Sequence, residues 1–76
     1  MHIERLVDMA NDIAAFFHGA SDQDEAVKSI ALHLRRYWDP RMRKQIIAHC
    51  ESGGAGLGDL ALRGVKLLAQ ESVTKI

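Results

Sequence analysis

Apolar residues recur at three- and four-residue spacing along four stretches of this chain, the period of helices buried on one face. In the first, Ile3, Leu6, Val7, Ala10, Ile13, Ala14 and Phe17 form a stripe that predicts a helix over residues 2–18, with Asp8 and Asp12 on the solvated side. Met9 and Phe16 lie beside the stripe and widen it beyond what one neighbour covers, a hint of a partner. Gly19 suits a left-handed C-cap. A second helix starts at Ser21-Asp22-Gln23-Asp24-Glu25, where Ser21 or Asp22 caps and the acids meet the positive end of the helix dipole. Its buried stripe is Val27, Ile30, Ala31 and Leu34, extended by Tyr37 or Trp38, and Arg35 and Arg36 sit near its C-terminal end.

A third helix is predicted from Pro40 to about Glu51, with Met42, Ile46 and Cys50 as its inner line and Ile47 at the edge. Arg41, Lys44, Gln45 and Ala48 face outward. Ser52-Gly53-Gly54-Ala55-Gly56 ends it and permits a reversal, because each glycine costs about 1 kcal/mol relative to alanine inside a helix. Asp59 can cap a last helix with Leu60, Ala61, Val65 and Leu68 as its stripe, Leu57 at its start and Gly64 in line for a close helix contact. From about Glu71 the pattern fades into a frayed tail over residues 71–76. The fold class is therefore all-α: one domain over residues 1–76, built of about four short helices in a bundle-like or orthogonal arrangement.

Between the second and third stripes, Leu34 to Arg43 holds the only Trp, Tyr and Pro together with four of the ten basic residues. Proline disfavours helical geometry in the residue before it, so the helix arriving through Tyr37 stops near Trp38. Pro40 then presets a helical φ at a first position where its missing N–H is no loss, and Asp39 can accept from the new helix's orphan amides. The result is a helix, a corner and a helix, at once a packing hub and a contact surface. Trp38 is better placed as a core anchor, with Tyr37 and the arginines at the rim. The candidate partner-binding set is Arg35, Arg36, Tyr37, Trp38, Arg41, Met42 and Arg43, since Trp, Tyr and Arg hold most interface energy.

Composition supports helices: 47% hydrophobic but only 5% aromatic residues, with alanine and leucine outweighing the β-branched types. At 76 residues the chain is near the lower limit for a self-sufficient core, so an isolated copy is expected to be marginally stable and given to weak self-association. Cys50 alone excludes an internal disulfide. The apolar runs are too short and too interrupted by charge for a membrane span or a secretory signal, which makes the cytoplasm the expected location. Formal net charge is zero, but it is unevenly spread. Glu4, Asp8, Asp12, Asp22, Asp24 and Glu25 face Arg5 alone in residues 1–25; Lys28, Arg35, Arg36, Arg41, Arg43 and Lys44 face Asp39 alone in residues 26–49. Either the two segments are packed neighbours whose surfaces attract, or the second is a basic docking face.

Catalytic signals are weak. Gly54-Ala55-Gly56-Leu57-Gly58 follows a helix rather than a strand and lacks the Lys-Ser/Thr of a phosphate-binding loop, so it reads as a turn. No two of His2, His18, His33 and His49 lie three or four apart, and His49 and Cys50 point about 100° apart on one helix, a poor ligand pair. Cys50 in an apolar stripe is core. The carboxylates sit in first turns or on solvated faces and offer no acid and base pair. The residues leave two classes of function: a protein-docking module, or a helix-turn-helix nucleic-acid binder whose helix from Pro40 enters the major groove. Zero net charge counts against the second.

The run Ile30-Ala31-Leu32-His33-Leu34-Arg35-Arg36-Tyr37-Trp38-Asp39-Pro40-Arg41-Met42-Arg43, followed by Gly53-Gly54-Ala55-Gly56-Leu57, resembles the delta subunit of bacterial NAD-dependent formate dehydrogenase. Met9-Ala10-Asn11 and Ile13 before Phe16-Phe17 are similar to that family too, and the resemblance spans roughly residues 3–62. It implies a small non-catalytic subunit, without cofactors of its own, of a soluble molybdenum enzyme that oxidises formate to carbon dioxide and reduces NAD. In such complexes the alpha subunit holds molybdopterin guanine dinucleotide and iron–sulfur clusters, and beta and gamma subunits carry flavin and further clusters. The delta chain is linked to assembly or stability of the complex, which makes the alpha subunit the implied partner. An acidic protein surface and the phosphates of the pterin cofactor during insertion both suit the arginines.

Overall fold

The computed structural model describes residues 2–73, with side chains described for residues 2–71. Four helices follow one another: α1 (Ile3–Phe17), α2 (Gln23–Tyr37), α3 (Pro40–Glu51) and α4 (Asp59–Val73). Each begins or ends where local chemistry dictates. Of the two capping candidates before α2, Asp22 is the one used: its Oδ1 accepts from the amides of Asp24 at 3.0 Å and Glu25 at 3.3 Å. Asp39 does the same for α3, accepting from the Met42 amide at 3.0 Å while Pro40 occupies the first helical position. The C-terminus of α3 closes in a Schellman turn: Gly54 N–H donates to His49 O at 2.9 Å and Gly53 N–H to Cys50 O at 3.1 Å. Gly54 sits at φ +66, a conformation that L side chains rarely adopt, so the backbone favours glycine there; a Cβ would meet only the movable end of Leu62, 2.5 Å away at Cδ1.

Three sequence expectations change. Gly19 is not left-handed, as positive φ among the described residues is confined to Gly53, Gly54 and Gly56. The chain leaves α1 instead through successive tight turns, His18 N–H to Ala15 O and Ala20 N–H to Phe17 O, which need no αL residue. Asp59 is not a cap but the first residue of α4, where its charge still meets the positive helix end; the carbonyl that receives the first helical amide is that of Gly58, from Leu62 N–H at 2.8 Å. The tail expected over residues 71–76 is helical as far as Val73, and Glu71 is tied back to α2 through Arg35 at 3.5 Å. Residues 74–76 of that expectation lie outside the described residues.

One buried cluster draws on all four helices: Leu6 and Ala10 from α1, Ile30 and Leu34 from α2, Ile46 from α3, and Ala61 and Val65 from α4 are all fully buried. The inner lines read from periodicity are the ones that face it, with Met42 and Ile47 at its margin. The helix α4 touches each of the others and packs most extensively on α2; α1 also meets α2 and α3. The α2–α4 contact is close because Gly64 faces Ile30: a Cβ at Gly64 would fall against Ile30 Cγ2 and 2.9 Å from Ile30 Cβ. The radius of gyration, 11.3 Å, is that of a compact chain of this length, about 11 Å.

Candidate functional site

The corner between α2 and α3 is only two residues, Trp38 and Asp39, both extended in backbone; the proline ring disfavours helical geometry at Asp39. Trp38 N–H closes the last turn of α2 on Leu34 O at 3.1 Å, and its indole is buried, 5% exposed, within the core cluster. So Trp38 holds the corner from inside. Tyr37 turns the other way and is 71% exposed, its ring tilted against His33 with centroids 4.8 Å apart. Met42 is half-buried at the core margin.

The arginines separate into two kinds. Arg43 reaches back across the corner and donates from Nη1 to Arg35 O at 2.6 Å, satisfying a carbonyl that the end of α2 leaves open. Arg35 pairs with Glu71 Oε1 at 3.5 Å and so joins α2 to α4. By contrast, Arg36, Arg41 and Lys44 are exposed, and no hydrogen bond or ion pair engages their side chains among the described residues. The acidic segment does not neutralise them. α1 is indeed a packed neighbour of α2 and α3, but through apolar faces; no ion pair joins Glu4, Asp8 or Asp12 to these cations among the described residues, and the acids at the start of α2 pair elsewhere, Glu25 with Lys28 at 3.4 Å and Asp24 with Arg63 at 3.5 Å.

Other sequence candidates are structural. Cys50 is buried, and burial pushes its thiol above the ordinary cysteine range, with Lys66 pulling it down and Glu51 pushing it up. A thiol held protonated is a poor nucleophile. The glycine-rich turn is closed by side chains rather than open to a phosphate: His49 Nε2 donates to Ala55 O at 2.7 Å. Asn11 clamps it from α1, Nδ2 donating to Gly56 O at 2.9 Å and Oδ1 accepting from Gly58 N–H at 2.9 Å. Residue-type patterns missed the Asn11 clamp; the available signal was an amide next to the α1 stripe, where a polar group needs a partner. Phe16, 83% exposed, stacks edge-on against Phe17 at 5.2 Å. Among the described residues, no group of three or more His, Cys, Asp or Glu side chains is placed to hold a metal ion, and no helix is long and apolar enough to cross a membrane.

The chain is thus a small helical domain that exposes Arg36, Tyr37, Arg41 and Lys44 at and after the α2–α3 corner. Residues 5–65 match the family of the NADH-dependent formate dehydrogenase delta subunit FdsD, and the chain belongs to that family. The match covers both the corner and the glycine turn. Comparison with curated proteins and with solved structures found no match.

Proposed function

We propose that this chain is a cofactor-free accessory subunit of a cytoplasmic, NAD-linked molybdenum formate dehydrogenase, docking on the catalytic alpha subunit and supporting assembly, cofactor insertion or stability of the complex. The observation that carries the reading is the family membership over residues 5–65, joined by a corner at which Arg36, Arg41 and Lys44 are exposed and meet no acid among the described residues. Formate oxidation and NAD reduction then fall to the subunits that carry molybdopterin guanine dinucleotide, iron–sulfur clusters and flavin. The residues here do not fit an iron–sulfur cluster: such clusters need several thiolates, and Cys50 is the single cysteine, its thiol buried and held protonated.

A pull-down with the tagged chain from its native host at moderate salt, with mass spectrometry and an assay of formate-dependent NADH formation, is expected to recover the dehydrogenase subunits. Recovery of nucleic acid and no dehydrogenase chain would overturn the reading. The purified chain by itself is expected to contain no metal by elemental analysis and to absorb only as Trp38 and Tyr37 dictate. Stoichiometric zinc, iron or molybdenum would contradict a cofactor-free subunit.

A further inference from the structure

We infer that the docking face proper is formed by Arg36, Tyr37, Arg41 and Lys44, and that it receives an acidic stretch of a partner polypeptide; this rests on the reading of the chain as a subunit of a larger enzyme. The division among the corner's cations is what narrows the site. Arg43 and Arg35 are committed to the frame, through Arg35 O at 2.6 Å and Glu71 at 3.5 Å. Arg36 and Tyr37 end α2, Arg41 is the second residue of α3, and Lys44 follows it by three positions on the same helix face. These four are exposed. Buried Trp38 and the Asp39 cap fix the two helices on which they stand, so presenting them to a partner costs little ordering.

The chemistry of the face identifies the occupant. Three cations that meet no acid among the described residues call for carboxylates or phosphates. The exposed phenol of Tyr37 and Leu32, 42% exposed and one turn before Arg36, call for apolar contact beside them. A polypeptide carrying Asp or Glu next to apolar side chains meets both demands. A nucleic acid meets only the first, and the exposed acids Glu4, Asp8 and Asp12 on α1 oppose a long polyanion, whose affinity rests on many phosphate contacts.

The test uses the full chain in the host's formate dehydrogenase complex. The double variant Arg36→Glu/Arg41→Glu is expected to keep the helical circular dichroism and melting of the parent, because neither side chain bonds to another among the described residues, and to lower the dehydrogenase retained on the tagged chain by more than about tenfold. Lys28→Glu, near the other end of α2, is expected to retain it as the parent does. If the reversal disturbs folding, Arg36→Gln/Arg41→Gln replaces it with the same expected direction. A folded double variant that retains as much dehydrogenase as the parent overturns the inference and leaves the subunit assignment standing. A parent that retains none overturns the assignment and the inference with it. Binding of a short DNA duplex by the parent at low salt, lost in the double variant, would overturn the polypeptide as occupant.

Discussion

Trp38→Ala is expected to leave the isolated chain largely unfolded. Its indole is 5% exposed and belongs to the same buried cluster as Leu34 and Ile46, at the point where α2 hands over to α3. Truncating a buried tryptophan costs about 3 to 5 kcal/mol. A core in a chain below about 80 residues rarely supplies more than that, so the loss is comparable with the whole stability. Asp39→Ala sets the scale for a lesser injury at the same corner: loss of the Met42 amide's acceptor costs about 1 kcal/mol, a fall of roughly 4–8 °C in Tm with helical content retained. Far-UV circular dichroism against temperature on both variants reads the difference. A Trp38→Ala chain that melts like the parent would mean that the corner is held by its caps and not by its aromatic anchor.

Where sequence reading succeeded, the cause is local. Asp22, Asp39 and Pro40 act within four residues of themselves, and the stripe of Val27, Ile30, Ala31 and Leu34 is fixed by helical period, so each could be read without knowing any neighbour. The glycine run after α3 likewise marks the end of that helix and the reversal after it, and the fold closes it as a Schellman turn. Where reading failed, the deciding partner lies far along the chain. Gly58, just before α4, gives its N–H to Asn11, 47 residues away, a long-range bond at the helix start that no local pattern around Asp59 announces. Gly19 looked like a left-handed terminus, but the short passage to Asp22 is made by right-handed turns. The same limit applies to the candidate site. Charge counting marked four arginines alike, and only the fold distinguishes Arg35 and Arg43, spent on Glu71 and on a carbonyl of α2, from Arg36 and Arg41, which face solvent. Between the acidic and the basic segment the ion pair formed is Glu25 with Lys28, one turn apart on α2; α1 meets α2 and α3 with its apolar face, and its exposed Asp8 and Asp12 pair with none of the corner cations among the described residues.

Gly64→Ala is expected to destabilise the domain, against the trend for helices. In a helix interior that exchange normally gains about 1 kcal/mol from propensity. Here the new methyl would lie against Ile30 Cγ2 and 2.9 Å from Ile30 Cβ. Ile30 is fully buried on α2, the helix with which α4 packs most extensively. A β-branched residue in a helix has essentially one χ1 rotamer, so Ile30 cannot swing aside and the two helices must part. Overpacking of this kind costs about 1 to 3 kcal/mol, enough to cancel the propensity gain and exceed it at the upper end, and Gly64→Leu is expected to abolish the fold. The cause can be isolated by repeating Gly64→Ala in an Ile30→Leu background. Leucine carries no branch at Cβ, so the alanine should there lower Tm less than in the parent, a coupling that residues not in contact do not show. A rise in Tm for Gly64→Ala alone would refute the close approach of α2 and α4. An equal loss in both backgrounds would move the strain from the Cγ2 branch of Ile30 to its Cβ, which leucine keeps.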